Sequence, residues 1–265
     1  MAQDWIDLNS TSLRYDISGD GPRTLVLVHE MGGSLESWDQ VMPALQPGRR
    51  IVRYDWRGMG MSEKARTRLD FDLMADDLAA LLDAKGIVQK FAIVGCAVGA
   101  GISMRFASRF PTRVGGLVAM APATGAPADR KDAMLARITR MEREGPRAVA
   151  EEGFAASYPP AVRHNAEEFR KFRARWLCND PTSFGLVNRM LLDTNIEADF
   201  GKIACPTLVL AGEHDGARPP AQVEPVAKLV RNAEYRILNT GHFMAVQTPA
   251  LIAETINGFL NPLGY

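Results

Sequence analysis

Apolar runs of strand length recur along the chain, and segments with helical spacing of apolar residues lie between them. Short runs bounded by turn residues are typical of strands buried on both faces. They predict strands at residues 24–28, 50–54, 91–94, 116–120, 206–211 and 235–238. Because strands that alternate with helices form parallel sheets, the predicted fold class is α/β, with a mostly parallel central sheet flanked by helices.

The middle of the chain has a different pattern. Between residues 129 and 199 no convincing strand is present, and apolar residues recur at helical spacing. The helical sets are Met134, Ile138 and Met141; Phe169, Phe172 and Trp176; and Leu186, Met190 and Leu191. Prolines at 127, 146, 159, 160 and 181 separate these segments. We predict a helical lid of four helices at residues 123–202, inserted into a core domain formed by residues 1–122 and 203–265.

The pentad from Gly95 to Gly99 lies between the apolar run at residues 91–94 and a helical pattern that begins at Ile102. A strand, a glycine pair and a helix in this order are the context of a nucleophile elbow, G-x-Nu-x-G. The central position of the pentad is Ala97, which carries no nucleophile. Cys96 is left as an alternative nucleophile, although a buried free cysteine that acts as a small hydrophobe is the favoured interpretation.

Three further segments supply the other parts of such a site. The loop at residues 29–33 follows a predicted strand, so the amides of Met31 and Val98 are the predicted oxyanion donors. Asp215 follows the strand at residues 206–211, and His242 follows the last predicted strand. Nucleophile, acid and histidine then occur in the chain order of α/β-hydrolases. Taken alone, Asp215 would be an ordinary turn aspartate and His242 a structural histidine.

The blocks at residues 29–38, 53–62, 95–100, 211–220 and 240–249 together resemble an α/β-hydrolase. Within that superfamily, residues 53–62, 120–125 and 208–220 are most similar to the branch of 3-oxoadipate enol-lactonase and related small hydrolases. The resemblance implies Ser-His-Asp hydrolysis of a small carboxylated ester, lactone or related carbonyl compound. Alternatives are a C–C bond or amide hydrolase of ring-cleavage catabolism, and a natural ligand-binding pseudoenzyme without catalysis.

Ala97 departs from the serine of that family, so we expect this chain to be catalytically inactive while the pocket remains intact. The favoured interpretation is an engineered serine-to-alanine variant rather than a natural pseudoenzyme. Retention of both Asp215 and His242 favours the hydrolase, because a protein that only binds has little need for them.

Glu30 also departs from the family, which has glycine or a small residue there. We predict that Glu30 and Trp176 bind substrate, with a Glu30 side chain that turns outward to pair with an arginine as the alternative. The basic lid residues are Arg170, Lys171, Arg173 and Arg175. They are interpreted as a solvated helix face, and the alternative is that one arginine turns inward to hold a substrate carboxylate.

Composition narrows the function classes. The 265 residues are 46% hydrophobic, enough for a large core, and the formal net charge of zero argues against nucleic acid or anionic membrane as a partner. Neither a signal peptide nor an apolar run near about 18 residues is recognised. The three dispersed cysteines predict no disulfide and no zinc site, and no H-E-x-x-H motif follows His29, so no metal or cofactor is predicted. We predict a cytoplasmic enzyme with a small-molecule substrate; the sequence leaves a homo-oligomer open.

Overall fold

The computed structural model describes residues 3–8, 10–126 and 130–265. Pro127 and Asp129, which entered the prediction of the lid, lie outside the described residues. The strands are β1 (Asp4–Leu8), β2 (Thr11–Ser18), β3 (Arg23–Val28), β4 (Arg49–Tyr54), β5 (Phe91–Cys96), β6 (Val114–Met120), β7 (Thr207–Gly212) and β8 (Glu234–Leu238). The helices are α1 (Met42–Leu45), α2 (Phe71–Ala84), α3 (Val98–Arg109), α4 (Lys131–Glu144), α5 (Arg147–Ser157), α6 (Ala166–Leu177), α7 (Pro181–Asp193), α8 (Pro220–Lys228), α9 (Met244–Gln247) and α10 (Pro249–Leu260).

These strands form one sheet in the order β1-β2-β4-β3-β5-β6-β7-β8. From β4 to β8 every neighbouring pair is parallel, whereas β1 pairs with β2, and β2 with β4, in antiparallel fashion. The predicted α/β class, with a mostly parallel sheet flanked by helices, is therefore confirmed.

The strands β1 and β2 were not predicted from the hydrophobic pattern. Strand β2 buries Arg14 and Asp16, and the Asp16 carboxylate accepts hydrogen bonds from the Arg53 guanidinium, with Oδ2 to Nη2 at 2.8 Å. A buried ion pair satisfies both charges inside the sheet. Because these paired charges interrupt its apolar residues, β2 lacks the continuous apolar run that predicts the other strands.

The chain leaves the sheet after β6 and returns on the neighbouring strand β7, with Leu117 paired to Thr207. Helices α4 to α7 lie between these strands. Their aromatic side chains pack on one another and on the residue after His242: the Phe172 and Phe243 ring centroids are 4.7 Å apart. These helices therefore cover the edge of the sheet at which the parallel strands end. In the described ranges, no helix has the length and apolar character needed to cross a membrane.

A charged network supports the loop between β3 and α1. Arg14 forms ion pairs with Glu36 and with Asp55, whose Oδ1 also accepts the Leu35 N–H at 2.7 Å. Burial by itself would raise the pKa of Glu36, but hydrogen bonds from Arg14 and Ser34 outweigh it and lower this pKa to about 2. Folding therefore stabilises the ionised form of the Glu36 carboxyl relative to its protonated form.

We expect Glu36→Gln to lower the free energy of unfolding at pH 7 by about 1–3 kcal/mol, because Arg14 loses a charged acceptor. The folded-state pKa lies below the ordinary 4.5. The carboxylate's contribution is thus fully present above pH 4.5 and is lost as the pH falls through about 2. Urea unfolding over this pH range measures the difference between the two proteins, which should shrink toward acid. The exposed change Glu254→Gln, in α10, should cost less than about 0.5 kcal/mol.

Candidate active site

The turn from β5 into α3 places Ala97 in a strained conformation, with φ 52° and ψ −115°. Residues other than glycine rarely adopt positive φ, and such strain persists only where the surroundings hold it. The Ala97 N–H donates to the Met120 carbonyl at 2.9 Å, and the Ala97 carbonyl accepts from the amides of Gly101 and Ala123. The backbone at the end of β6 therefore holds the elbow in place.

Glycine is required at both ends of the pentad, because backbone carbonyl oxygens lie too close to leave room for a side chain. A Cβ on Gly95 would lie 2.4 Å from the Gly99 carbonyl oxygen, and one on Gly99 would lie 2.3 Å from the Val28 carbonyl oxygen. The first turn of α3 thus contacts the end of β3, beside the loop that carries Met31. The N–H groups of Met31 and Val98 donate no hydrogen bond to a residue in the described ranges. Such amides are available to an oxyanion.

The Cys96 side chain packs against the loop of His242 and does not line the cavity that borders Ala97, which is described below. Its Sγ donates to the His242 carbonyl at 3.3 Å, and the side chain is buried at the end of β5. Burial raises the pKa of this thiol well above its ordinary value, so the thiol stays protonated. This placement fits the interpretation of Cys96 as a small buried hydrophobe.

Asp215 and His242 form a hydrogen-bonded pair, with Oδ2 and Nδ1 at 2.7 Å. The other carboxylate oxygen, Oδ1, accepts the amides of Ala217 at 2.9 Å and Arg218 at 2.7 Å. Burial tends to raise the pKa of Asp215, but His242 and these amides outweigh it and the pKa is lowered. An ionised carboxylate can only accept, so Nδ1 of His242 carries a proton, and in the neutral imidazole this leaves the lone pair on Nε2.

The C-terminal end of α5 anchors both loops of this pair. The His242 N–H donates to the Ser157 carbonyl at 3.2 Å, and the Gly216 N–H donates to the Ala156 carbonyl at 2.9 Å. The position of the histidine and of the acid therefore depends on a helix between β6 and β7 as well as on the strand ends.

A cavity of about 370 Å³ lies between this edge of the sheet and the covering helices. The predicted site residues on its wall are Ala97, Val98, Met31, His242 and Trp176. Asp215 lies behind His242, on the side away from the cavity. The remaining apolar wall is formed by Met134, Phe154, Phe184, Leu191 and Phe243. In the part of the chain that the structure describes, no group of three metal-ligating side chains is arranged to hold an ion.

A sequence model of the α/β hydrolase fold matches residues 23–249 of the chain, and the elbow, the acid and the histidine all lie within that range. The chain belongs to the α/β-hydrolase fold family.

Relatives of this α/β-hydrolase include enzymes named for different bonds. It is 26% identical over 262 residues to pyrrolizixenacetamide deacetylase of Xenorhabdus hominickii, covering 96% of this chain and 97% of that protein. It is 28% identical over 237 residues to a putative carbamate hydrolase RutD of Stutzerimonas stutzeri, covering 86% and 89%. The enol-lactonase structure from Burkholderia xenovorans LB400 superposes with a TM-score of 0.91 at 22% identity, covering 97% and 100%. The last likeness shows the fold alone.

Glu30 of this α/β-hydrolase lies outside the cavity wall. Its Oε1 accepts the Ser37 hydroxyl at 2.6 Å, and a Cβ on Gly33 would lie 2.2 Å from the same oxygen. The carboxylate therefore fills the space that Gly33 leaves open. Glu30 neither faces the cavity nor pairs with an arginine within the described ranges, so its placement differs from both alternatives predicted from the sequence.

The arginines on the cavity wall are not those considered from the sequence. None of the four basic residues of α6 lines the cavity; Arg173 pairs with Glu151, and Lys171 with acidic neighbours on its own helix. Arg130, Arg137 and Arg218 line it instead. Arg137 could have been recognised, because it stands three residues after Met134 and shares the inward face of α4.

Proposed function

We propose that the cavity binds a small ester, lactone or related carbonyl compound, and that the chain with serine at position 97 hydrolyses it by a Ser-His-Asp mechanism. The observation that carries this proposal is the strained elbow at Ala97 together with the Asp215–His242 pair, 2.7 Å apart. A strained turn of this kind costs on the order of 1–3 kcal/mol and recurs at functional sites.

The proposed mechanism uses the hydrogen bond between Asp215 and Nδ1 of His242. The serine Oγ would attack the carbonyl carbon while Nε2 of His242 takes its proton. Asp215 holds the proton on Nδ1 and stabilises the imidazolium that forms. The oxyanion would accept hydrogen bonds from the amides of Val98 and Met31, each worth about 3 kcal/mol. His242 then returns the proton to the leaving group, and water releases the acyl group by the same steps.

Alanine at 97 removes only the attacking oxygen. We therefore propose that this chain, as it stands, binds its ligand without forming an acyl intermediate, as a serine-to-alanine variant of a hydrolase would. A protein that only binds its ligand, without catalysis, would use the same cavity. The pair of the buried Asp215 and the half-buried His242 favours the hydrolase, because ligand binding alone gives no reason to orient a base beside an alanine.

An amide or carbamate bond is a second candidate for the bond that is cleaved. It is favoured by the full-length relatives, which are named as a deacetylase and a carbamate hydrolase. The same groups serve this reaction, because His242 would protonate a leaving nitrogen as it would a leaving oxygen.

Covalent labelling tests the site directly. A fluorophosphonate should phosphonylate Ala97→Ser once, with the Oγ–P bond formed and fluoride released, and peptide mass spectrometry should locate the adduct at position 97. The chain with Ala97 should remain unlabelled. Ala123→Ser is the matched control, because it puts a hydroxyl on the same cavity wall without the elbow; it should also stay unlabelled. A folded Ala97→Ser that resists the reagent would contradict the proposed nucleophile position.

A further inference from the structure

The charged side chains of the cavity wall are mostly cationic. Arg130, Arg137 and Arg218 line it, and Glu152 is the one carboxylate side chain among the described lining residues. Glu152 already forms an ion pair with Arg140. The cavity therefore carries an excess of positive charge, although the chain as a whole has a formal net charge of zero.

Among the arginines of the wall, Arg130 is exposed to solvent, and the half-buried one without a partner in the described ranges is Arg137. It is half-buried on α4 and forms neither an ion pair nor a hydrogen bond with another residue in the described ranges. Burial lowers the pKa of its guanidinium, and the Glu152 carboxylate offsets part of this effect. A guanidinium carries five N–H donors in a planar fork, which matches a carboxylate.

Gly153 makes room for this guanidinium. It lies in the interior of α5, where glycine is less favourable than alanine. A Cβ at this position would lie 2.8 Å from Nη2 of Arg137. The absence of a side chain at 153 thus lets Arg137 lie against α5 with its donors at the cavity wall.

Arg218 is held in a different way. Its backbone N–H donates to Asp215 Oδ1, and its Nη2 donates to the Gly125 carbonyl at 2.5 Å. Burial lowers the pKa of this guanidinium, while the charges of Glu197 and Asp215 oppose that shift. Arg218 therefore has an acceptor for its guanidinium, and Arg130 is exposed to solvent. Arg137 is thus the half-buried arginine of the wall whose donors have no acceptor in the described ranges.

We propose that Arg137 binds a carboxylate of the ligand, so that the substrates are acyl compounds with a carboxylate remote from the scissile carbonyl. This inference rests on the proposed function. The carbonyl would lie beside Ala97, and the apolar wall that includes Met134 and Phe154 would contact the carbon chain between the two groups. A carboxylate matches the guanidinium fork bidentately and adds one negative charge to a wall with an excess of arginines.

Calorimetric titration of the Ala97 chain with monomethyl adipate and dimethyl adipate tests this proposal. The two esters differ at one end, where the first has a carboxylate and the second a neutral ester. The monoester should bind about tenfold more tightly or better, the scale of a charge-assisted hydrogen-bonded pair. Arg137→Gln should abolish this preference, because it weakens binding of the monoester much more than binding of the diester.

Gly153→Ala offers a second variant that keeps every charge. Its Cβ should displace the flexible end of Arg137, so the preference should fall by several-fold while thermal stability is retained or increased. Arg173→Gln is the matched control; its guanidinium pairs with Glu151 away from the cavity, and the preference should persist. Equal affinity of the Ala97 chain for both esters would overturn the proposal, as would a preference that survives Arg137→Gln.

Hydrolysis of the neutral ester, dimethyl adipate, by Ala97→Ser distinguishes a failure of this inference from a failure of the proposed function. If Ala97→Ser hydrolyses dimethyl adipate but the Ala97 chain shows no preference, only the carboxylate site is wrong. If the preference depends on Arg137 but Ala97→Ser hydrolyses neither ester, the carboxylate site stands and the hydrolase proposal is wrong.

Discussion

Ala97→Ser is expected to raise kcat for ester hydrolysis by about 10⁶-fold on the true substrate, the scale on which a triad depends on its serine. The Asp215–His242 pair is already formed, and Met31 and Val98, the residues of the proposed oxyanion amides, already line the cavity, so the substitution adds one oxygen to the proposed site. Without that oxygen, the oxyanion site and substrate binding would accelerate hydrolysis only about 10³- to 10⁴-fold over the uncatalysed reaction in water. Steady-state rates on aryl esters, enol lactones and ring-cleavage products measure the change.

Two outcomes would contradict this expectation. If a folded Ala97→Ser variant hydrolyses none of these aryl esters, enol lactones and ring-cleavage products, the proposal that the protein is a hydrolase is wrong. Turnover by the chain with Ala97 that Cys96→Ala abolishes would place the nucleophile one residue earlier, despite the buried thiol. Ala123→Ser should stay as inactive as the starting chain, because its hydroxyl would lack the elbow conformation.

Removal of the proposed base, His242, is expected to have the second large effect. In the Ala97→Ser background, His242→Ala should lower kcat by about 10⁶-fold with little change in KM, because proton transfer occurs in the transition state. Asp215→Asn should lower it by about 10⁴-fold. An amide at 215 can donate to Nδ1, which would move the ring proton to Nε2 and block the base. The same ester assays with purified double variants give both numbers.

His214→Ala is the matched control for these substitutions. His214 is the neighbour of Asp215 in sequence, but its Nε2 contacts the Asn239 side chain at 2.9 Å and it does not line the cavity. Its removal should leave kcat within a few-fold. Near-normal turnover in Asp215→Asn would assign the acid role to another carboxylate at a strand end.

Local sequence patterns determined the fold class and the chain positions considered for the site. The glycines at 95 and 99 allow the sharp turn after β5, and the predicted apolar runs overlap β3 to β8. Because the carboxyl ends of parallel strands share one edge of a sheet, Ala97, Asp215 and His242 could be expected together. Strand β2 lacked such a pattern, because its buried Arg14 and Asp16 depend on partners from other segments.

The contacts of individual side chains were decided by the tertiary structure. Glu30 points where Gly33 leaves space and Ser37 supplies a donor, so its residue type did not reveal its direction. Arg137 reaches the cavity because Gly153, on another helix, leaves room for it. A periodic pattern shows which face of a helix is buried, but it does not show what lies opposite that face. The sequence therefore determined the chain positions of the proposed catalytic groups, whereas the packing of distant segments decided which side chains line the cavity.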